Sequence, residues 1–141
     1  MDWTLELVVV PVTDVERSKA FYTDKLGFKI DADVMSGPMR VVQLTPPGSK
    51  CSITIGPLVV DEVPESSARY QLVVPDIEAA RKQLLERGVD VGEVMQFGAK
   101  GPEPGHGGSY NAFVFFKDPD GNNWAVQEVT TRPAPVAGQG V

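Results

Sequence analysis

The chain has 141 residues and 15.2 kDa, 42% apolar and 23% charged, which suits one ordinary globular unit rather than a disordered chain. Thirteen basic against nineteen acidic side chains leave a net charge of −6, so nucleic acid and anionic membrane surfaces are not expected as partners. No run approaches the roughly 18 apolar residues of a membrane span, MDWTLEL lacks the order of a signal peptide, and the single Cys51 rules out an internal disulfide or cysteine-built zinc site, so a cytoplasmic protein is expected.

The first segment, LELVVVPV (5–12), is β-branched and short, the pattern of a strand. VTDVERSK (12–19) then opens a helix. Asp14 is placed to cap it, with Thr13 and Glu16 as an alternative capping box. Val15, Ser18, Tyr22 and Leu26 follow one face, and Gly27 stands where a left-handed residue commonly ends a helix. Strands are expected over 29–34, 40–44 and 52–55, separated by Ser36-Gly37-Pro38 and Pro46-Pro47-Gly48. Residues 59–66 read as a link.

RYQLVV (69–74) starts the pattern again. Asp76 caps a second helix whose face carries Ile77, Ala80 and Leu84, and Gly88 ends it. Each helix should run about three turns, ~18 Å. Strands are expected over 91–95, 111–116 and 123–129, with DPDGN (118–122) as a tight turn. The Gly- and Pro-rich segment 98–109 reads as a loop with little reason to pack, suited to a lid. Residues 132–141 read as a loose tail.

VTDVERSK and VPDIEAAR are the signature of an internal repeat. Val12/Val74, Asp14/Asp76 and Glu16/Glu78 are identical at a 62-residue offset, and Val15/Ile77, Ser18/Ala80 and Lys19/Arg81 are close substitutes. The order βαβββ therefore occurs twice. With Phe21-Tyr22 in the first helix, LGF at 26–28 and DPDGN before the last strand, the chain resembles the vicinal oxygen chelate superfamily over about residues 3–130. That group includes glyoxalase, the bleomycin-resistance proteins and the extradiol dioxygenases. The resemblance implies an α+β fold. Two βαβββ modules, about 3–58 and 67–131, form one curved mixed sheet around a cavity, within a single glyoxalase-like domain over 1–131. It also implies a homodimer that covers the open sheet edges. It does not imply chemistry, since reactions vary on this scaffold.

Strand alternation places side chains on faces. By analogy with the family, Val12 faces the helix, leaving Leu7 and Val9 in the cup. The same logic puts Arg69, Gln71 and Val73 in the cup and Leu72 and Val74 under the second helix. In the last strand Ala125 and Gln127 point inward, and Trp124 and Val126 outward. The family's metal positions, carried over, fall on Leu7, Arg69, Ala125 and either Ile53 or Ile55. None of these is a usable ligand, and no metal or other cofactor is expected.

The cup is then an apolar concavity of Leu7, Val9, Ile53, Ile55, Val73 and Ala125, with Arg69, Gln71 and Gln127 as its polar groups. Arg69 reads as an anchor for an organic anion, or else as the partner of an internal acid or an exposed residue at a strand start. Tyr110 offers a hydroxyl to a ligand, or packs at the rim. His106, the sole histidine, is either a ligand-contacting group or a solvated loop residue. DPDGN lacks the further ligands of a calcium loop. Phe113, Phe115 and Phe116 read as core and rim, and Cys51 as a packed or idle thiol.

The expected function is the binding of a small, partly apolar organic molecule, anionic if Arg69 is its anchor, without the family's metal. No catalytic residue can be assigned. The alternative is a metal-dependent lyase, isomerase or dioxygenase of the same fold, with Glu6, His106 or Glu128 as shifted ligands of a divalent metal. It needs a strand register displaced by one residue. A partner-binding module with a filled cup is a third reading.

Overall fold

Each half of the chain opens on a short β-branched strand that hands over to an Asp-capped helix. The computed structural model describes residues 1–66 and 68–131. The tail expected over 132–141 lies outside the described residues. The first module contains β1 (Leu7–Val9), α1 (Val15–Ala20) continued by a π-helical turn (Phe21–Lys25), β2 (Lys29–Ser36), β3 (Met39–Thr45) and β4 (Ser52–Ile55). The second contains β5 (Arg69–Val74), α2 (Ile77–Glu86), β6 (Met95–Gly98), β7 (Gly101–Pro104), β8 (Phe113–Lys117) and β9 (Asn123–Glu128).

The local signals act as their chemistry dictates. Asp14 and Asp76 each have extended backbone and accept from the amide three residues on, Arg17 N and Ala79 N. Glu16 instead meets Arg40, so the alternative capping box does not form. Gly27 and Gly88 take φ of +72° and +79°, the left-handed values for which glycine carries no Cβ penalty.

The architecture is α+β, built from two modules. The strands divide between two open mixed sheets, one per module, in the orders β1-β4-β3-β2 and β5-β9-β8-β6-β7. The repeat reappears as register. In each sheet the opening strand pairs parallel with the closing one, Leu7 with Ser52 and Val9 with Thr54, then Arg69 with Asn123 and Gln71 with Ala125. Two expectations change in the second module. Residues 91–94 are irregular, with Val91 buried in the core, and the strand begins only at Met95. The presumed loop 98–109 contains β7, hydrogen-bonded antiparallel to β6, because a Gly98-to-Gly101 turn folds the chain into a hairpin.

The helix-bearing faces of both sheets share one core. Val10, Val12, Val42 and Leu44 meet Phe21, Tyr22 and Phe28, and these meet Phe116, Trp124 and Val126 of the other module. Ring contacts cross the seam at 5.7 Å (Tyr22–Trp124) and 5.8 Å (Phe28–Trp124). Ile53 and Ile55 belong to this core rather than to the cup. Leu7 and Val9 pair with Ser52 and Thr54, so the isoleucines fall in the opposite phase. The sequence gives β4 no capping residue or turn that fixes its phase.

DPDGN is a turn, with Gly121 at φ +83°, and it also fastens the modules together. Asp120 accepts from Thr13 N, Thr13 Oγ1 and Arg17, at 3.1, 2.5 and 2.6 Å. Asp118 accepts from the Tyr22 hydroxyl at 2.6 Å, and Trp124 Nε1 donates to that same hydroxyl at 3.2 Å. Burial first, and the Asp118 charge second, push the Tyr22 phenol far above the ordinary tyrosine value, so it remains a donor.

Candidate functional site

The face of each sheet turned away from the shared core is free for other chemistry. On the second module, register lays its side chains out in rows across β5, β9 and β8. Arg69, Asn123 and Lys117 form the first row, Gln71, Ala125 and Phe115 the second, and Val73, Gln127 and Phe113 the third, with Met95 of β6 beside Phe113. Charge thus lies at one end of the face and apolar surface at the other. The rings of Phe113 and Phe115 are nearly parallel, 5.9 Å between centroids, and Phe97 meets Phe113 edge-on at 5.2 Å.

Arg69 has its guanidinium carbon 5.3 Å from the centre of the Phe115 ring, in range of a cation–π contact. Among the described residues neither Arg69 nor Lys117 has a carboxylate partner within ion-pair distance. The internal acid that could have explained Arg69 is therefore missing from those residues. A hollow of about 300 Å³ opens beside Arg69, bordered by Lys117 and Asn123 and backed by Phe115, Phe116 and Trp124. A second, of about 270 Å³, lies on the other side of Arg69, between the modules, and reaches Val8, Cys51 and Ile53.

The structure brings Arg69, Gln71, Ala125 and Gln127 to one face. Gln71 donates to Gln127 at 2.9 Å, and Gln127 donates to the Tyr110 carbonyl at 2.9 Å. Ala125 is wholly covered by its neighbours and offers no surface to a ligand. Tyr110 adjoins this group through its backbone and takes φ +68°, the one non-glycine residue with positive φ among those described. Leu7 and Val9 lie on the corresponding face of the first sheet, not with the others. Their surroundings are hydroxyl-bearing. Ser52 and Thr45 share a hydrogen bond of 2.6 Å, Thr45 also meets Asp31, and Thr54 is buried beside Val9.

Sequence reasoning missed Lys117, Phe97 and the outward direction of Phe113 and Phe115. The run FVFFK reads as uniformly apolar, and only the pairing with β9 shows that alternate rings point away from the core. Cys51 is half-buried, with one weak contact from its thiol to Ser52 O at 3.7 Å.

His106 is not on a lid. Its Nδ1 accepts from Gly108 N, leaving Nε2 to donate to Glu128 Oε2 at 2.6 Å, while Glu128 Oε1 accepts from Ile77 N at the start of α2. Ser109, hydrogen-bonded to Thr130 and Thr131, and Asn111, bonded through its side chain to Phe97 N and O, pin the rest of the segment. Glu128 shares the phase of Trp124 and Val126, so the register has it at the helix and not in the outer face.

The superfamily model for Glyoxalase/Bleomycin resistance protein/Dioxygenase matches residues 4–126. The chain belongs to that superfamily. A glyoxylase-like domain-containing protein of Didymella fabae is 30% identical over 129 residues, covering 89% of this chain and 91% of that one. Among solved structures, TnmS3, an antibiotic binding protein from Streptomyces sp. CB03234, is 29% identical with a TM-score of 0.70, covering 91% of this chain and 97% of that one. A glyoxalase/bleomycin resistance protein from the same organism is 30% identical with a TM-score of 0.67, covering 88% and 99%.

Membership makes the superfamily's metal a direct question of donors. The positions it implies hold three kinds of apolar side chain (Leu7, Ala125 and Ile53 or Ile55) and, at Arg69, a permanent cation, which do not fit a divalent ion. A guanidinium ~4 Å from a dication costs several kcal/mol even at an effective dielectric near 20. Among the described residues, no three His, Cys, Asp or Glu side chains gather where they could share an ion.

Proposed function

We propose that this protein binds a small, partly apolar, anionic organic molecule on the outer face of its second module, without the superfamily's metal. The observation that carries this reading is the hollow beside Arg69. It joins the Phe115 ring to two cations that have no carboxylate within ion-pair distance among the described residues. Burial of apolar surface supplies affinity in such a site, and a few fixed polar groups supply orientation. The description of TnmS3 as an antibiotic binding protein supports a binding role over a catalytic one.

A homodimer completes this reading. Val73 and Phe97 are 48% and 43% exposed on the outer face of one sheet, and Val9 is 42% exposed on that of the other. A second copy covers such surface at the sheet edges without leaving it to water. We place the protein in the cytoplasm. A metal-dependent reaction through Glu6, His106 and Glu128 has no observation in its favour, since two of the three serve the α2 terminus and Glu6 sits at the first module.

The test is elemental analysis of protein purified without chelators, combined with mass spectrometry of whatever small molecules leave it on denaturation. Metal far below one equivalent, with an organic anion released, is the expected result. A transition metal near one per chain would overturn the metal-free reading.

A further inference from the structure

The hollow at Arg69 carries more information than its charge. Its two cations stand in one row across the sheet, Arg69 on β5 and Lys117 on β8, with Asn123 of β9 between them. Asn123 spends its amide on Ser66 O, at 2.8 Å, and on Ala68 O, so the cations are the donors left for a ligand. The adjoining row brings the Phe115 ring under the guanidinium, and Phe116 and Trp124 close the back.

Three consequences follow for the occupant. A guanidinium presents a planar fork that matches the two oxygens of a carboxylate. The Phe115 ring on the wall favours a flat aromatic body, through offset stacking and edge contacts. The volume of about 300 Å³ lies at the small end for ligand sites, room for one or two fused rings. The net charge of −6 also works against polyanions such as nucleotides, because only the near cations offset the field of the whole chain.

Resting on the binding reading above, the geometry points to an aromatic monocarboxylate as the ligand class, with Arg69 and Lys117 holding its carboxylate and Phe115 beside its ring. Lys117 is the specificity-determining residue that the sequence pattern does not reveal. Lys117 enters the row only because β8 pairs with β9 in this register.

The test is titration calorimetry of the full chain with three probes: 2-naphthoate, its neutral amide 2-naphthamide, and cyclohexanecarboxylate. The expected order is naphthoate tightest, with each comparison weaker by about tenfold or more, in line with one charge-assisted hydrogen-bonded contact or one stacked ring. Arg69→Gln and Lys117→Gln should each weaken naphthoate by at least about fivefold and leave the amide unchanged. Both residues are exposed, so folding is not at risk. If the amide binds as tightly as the acid, or Arg69→Gln leaves their ratio intact, the ligand class is wrong while the binding reading stands. Probe affinity that Phe115→Leu does not change places binding elsewhere and overturns the inference. Failure of all three probes to bind, with no small molecule released from the purified protein, overturns both.

Discussion

The two modules share a frame and differ on one face of it. Seven residues before the capping Asp, the first module has Leu7 and the second Arg69. Two residues later they have Val9 and Gln71. Both pairs sit at equivalent places in a parallel strand pair, yet the first is surrounded by Ser52, Thr54 and Thr45 and the second by Asn123, Phe115 and Lys117. Between these positions, in the opposite phase, Val8 and Ile53 match Tyr70 and Trp124, all directed at the common core side. The inner positions must satisfy one packed interior, and packing tolerates little change of volume. The outer positions lie outside that shared interior, although Ser52, Thr54, Phe113 and Ala125 among them are buried, and that is where the chemistry has diverged.

The largest expected effect tests the inner half of this contrast. Trp124 is 2% exposed and touches Tyr22, Phe28, Tyr70 and Phe116. Trp124→Ala should cost about 3–5 kcal/mol in urea unfolding, as for other large buried aromatics. Phe115→Ala, one strand away but on the outer face, should cost under about half of that. Equal losses would mean that the outer face is as much a core as the inner one, and the division of labour would collapse.

A smaller effect comes from the seam where the modules meet. Tyr22→Phe removes the donor to Asp118 and the acceptor of Trp124 Nε1 at once, at a cost of about 1–3 kcal/mol. Its pH dependence has a definite sign. The folded Tyr22 phenol is raised above its unfolded value near 10, so its contribution is complete below that pH and declines as pH rises beyond it. The decline approaches about 1.4 kcal/mol per pH unit, the linkage limit for one proton. Tyr70, raised chiefly by burial and then by Asp118, adds a lesser share of the same sign. Unfolding at pH 7, 10 and 11 should therefore show a steeper alkaline loss in the parent than in Tyr22→Phe. Parallel curves would show that the hydroxyl titrates freely and that the seam is wetter than the distances indicate.

How much of this was legible in the sequence follows from which signals are local. Asp14, Asp76, Gly27 and Gly88 act within one helical turn, so the repeat and both helices could be read directly. The phases of β5 and β9 could be read because each is anchored by a neighbouring motif, the capping Asp76 and the DPDGN turn. β4 has no such anchor, and Ile53 and Ile55 went to the wrong face. Glycine and proline hid β7, since a hairpin edge tolerates both where a central strand would not. The Asp118–Tyr22, Asp120–Thr13 and His106–Glu128 contacts join residues 96, 107 and 22 positions apart, beyond any local pattern.

The smallest expected effect carries the sharpest sign, and it concerns the first module's outer face. Thr54 is 3% exposed, and its hydroxyl has no hydrogen-bond partner among the described residues. A buried hydroxyl without a partner costs about 1–3 kcal/mol, and valine keeps its shape while removing that cost. In the isolated chain, Thr54→Val should therefore raise stability by about 1 kcal/mol. A second copy cannot reach this hydroxyl, which is sealed within one chain, so the effect should not depend on association. Urea unfolding of Thr54→Val beside the parent, at two protein concentrations a hundredfold apart, is the measurement. A gain of the same size at both concentrations marks the Thr54 hydroxyl as idle. A loss at either concentration would show that the hydroxyl finds a partner inside the fold, and that the first module's outer face is held by polar contacts rather than by shape alone.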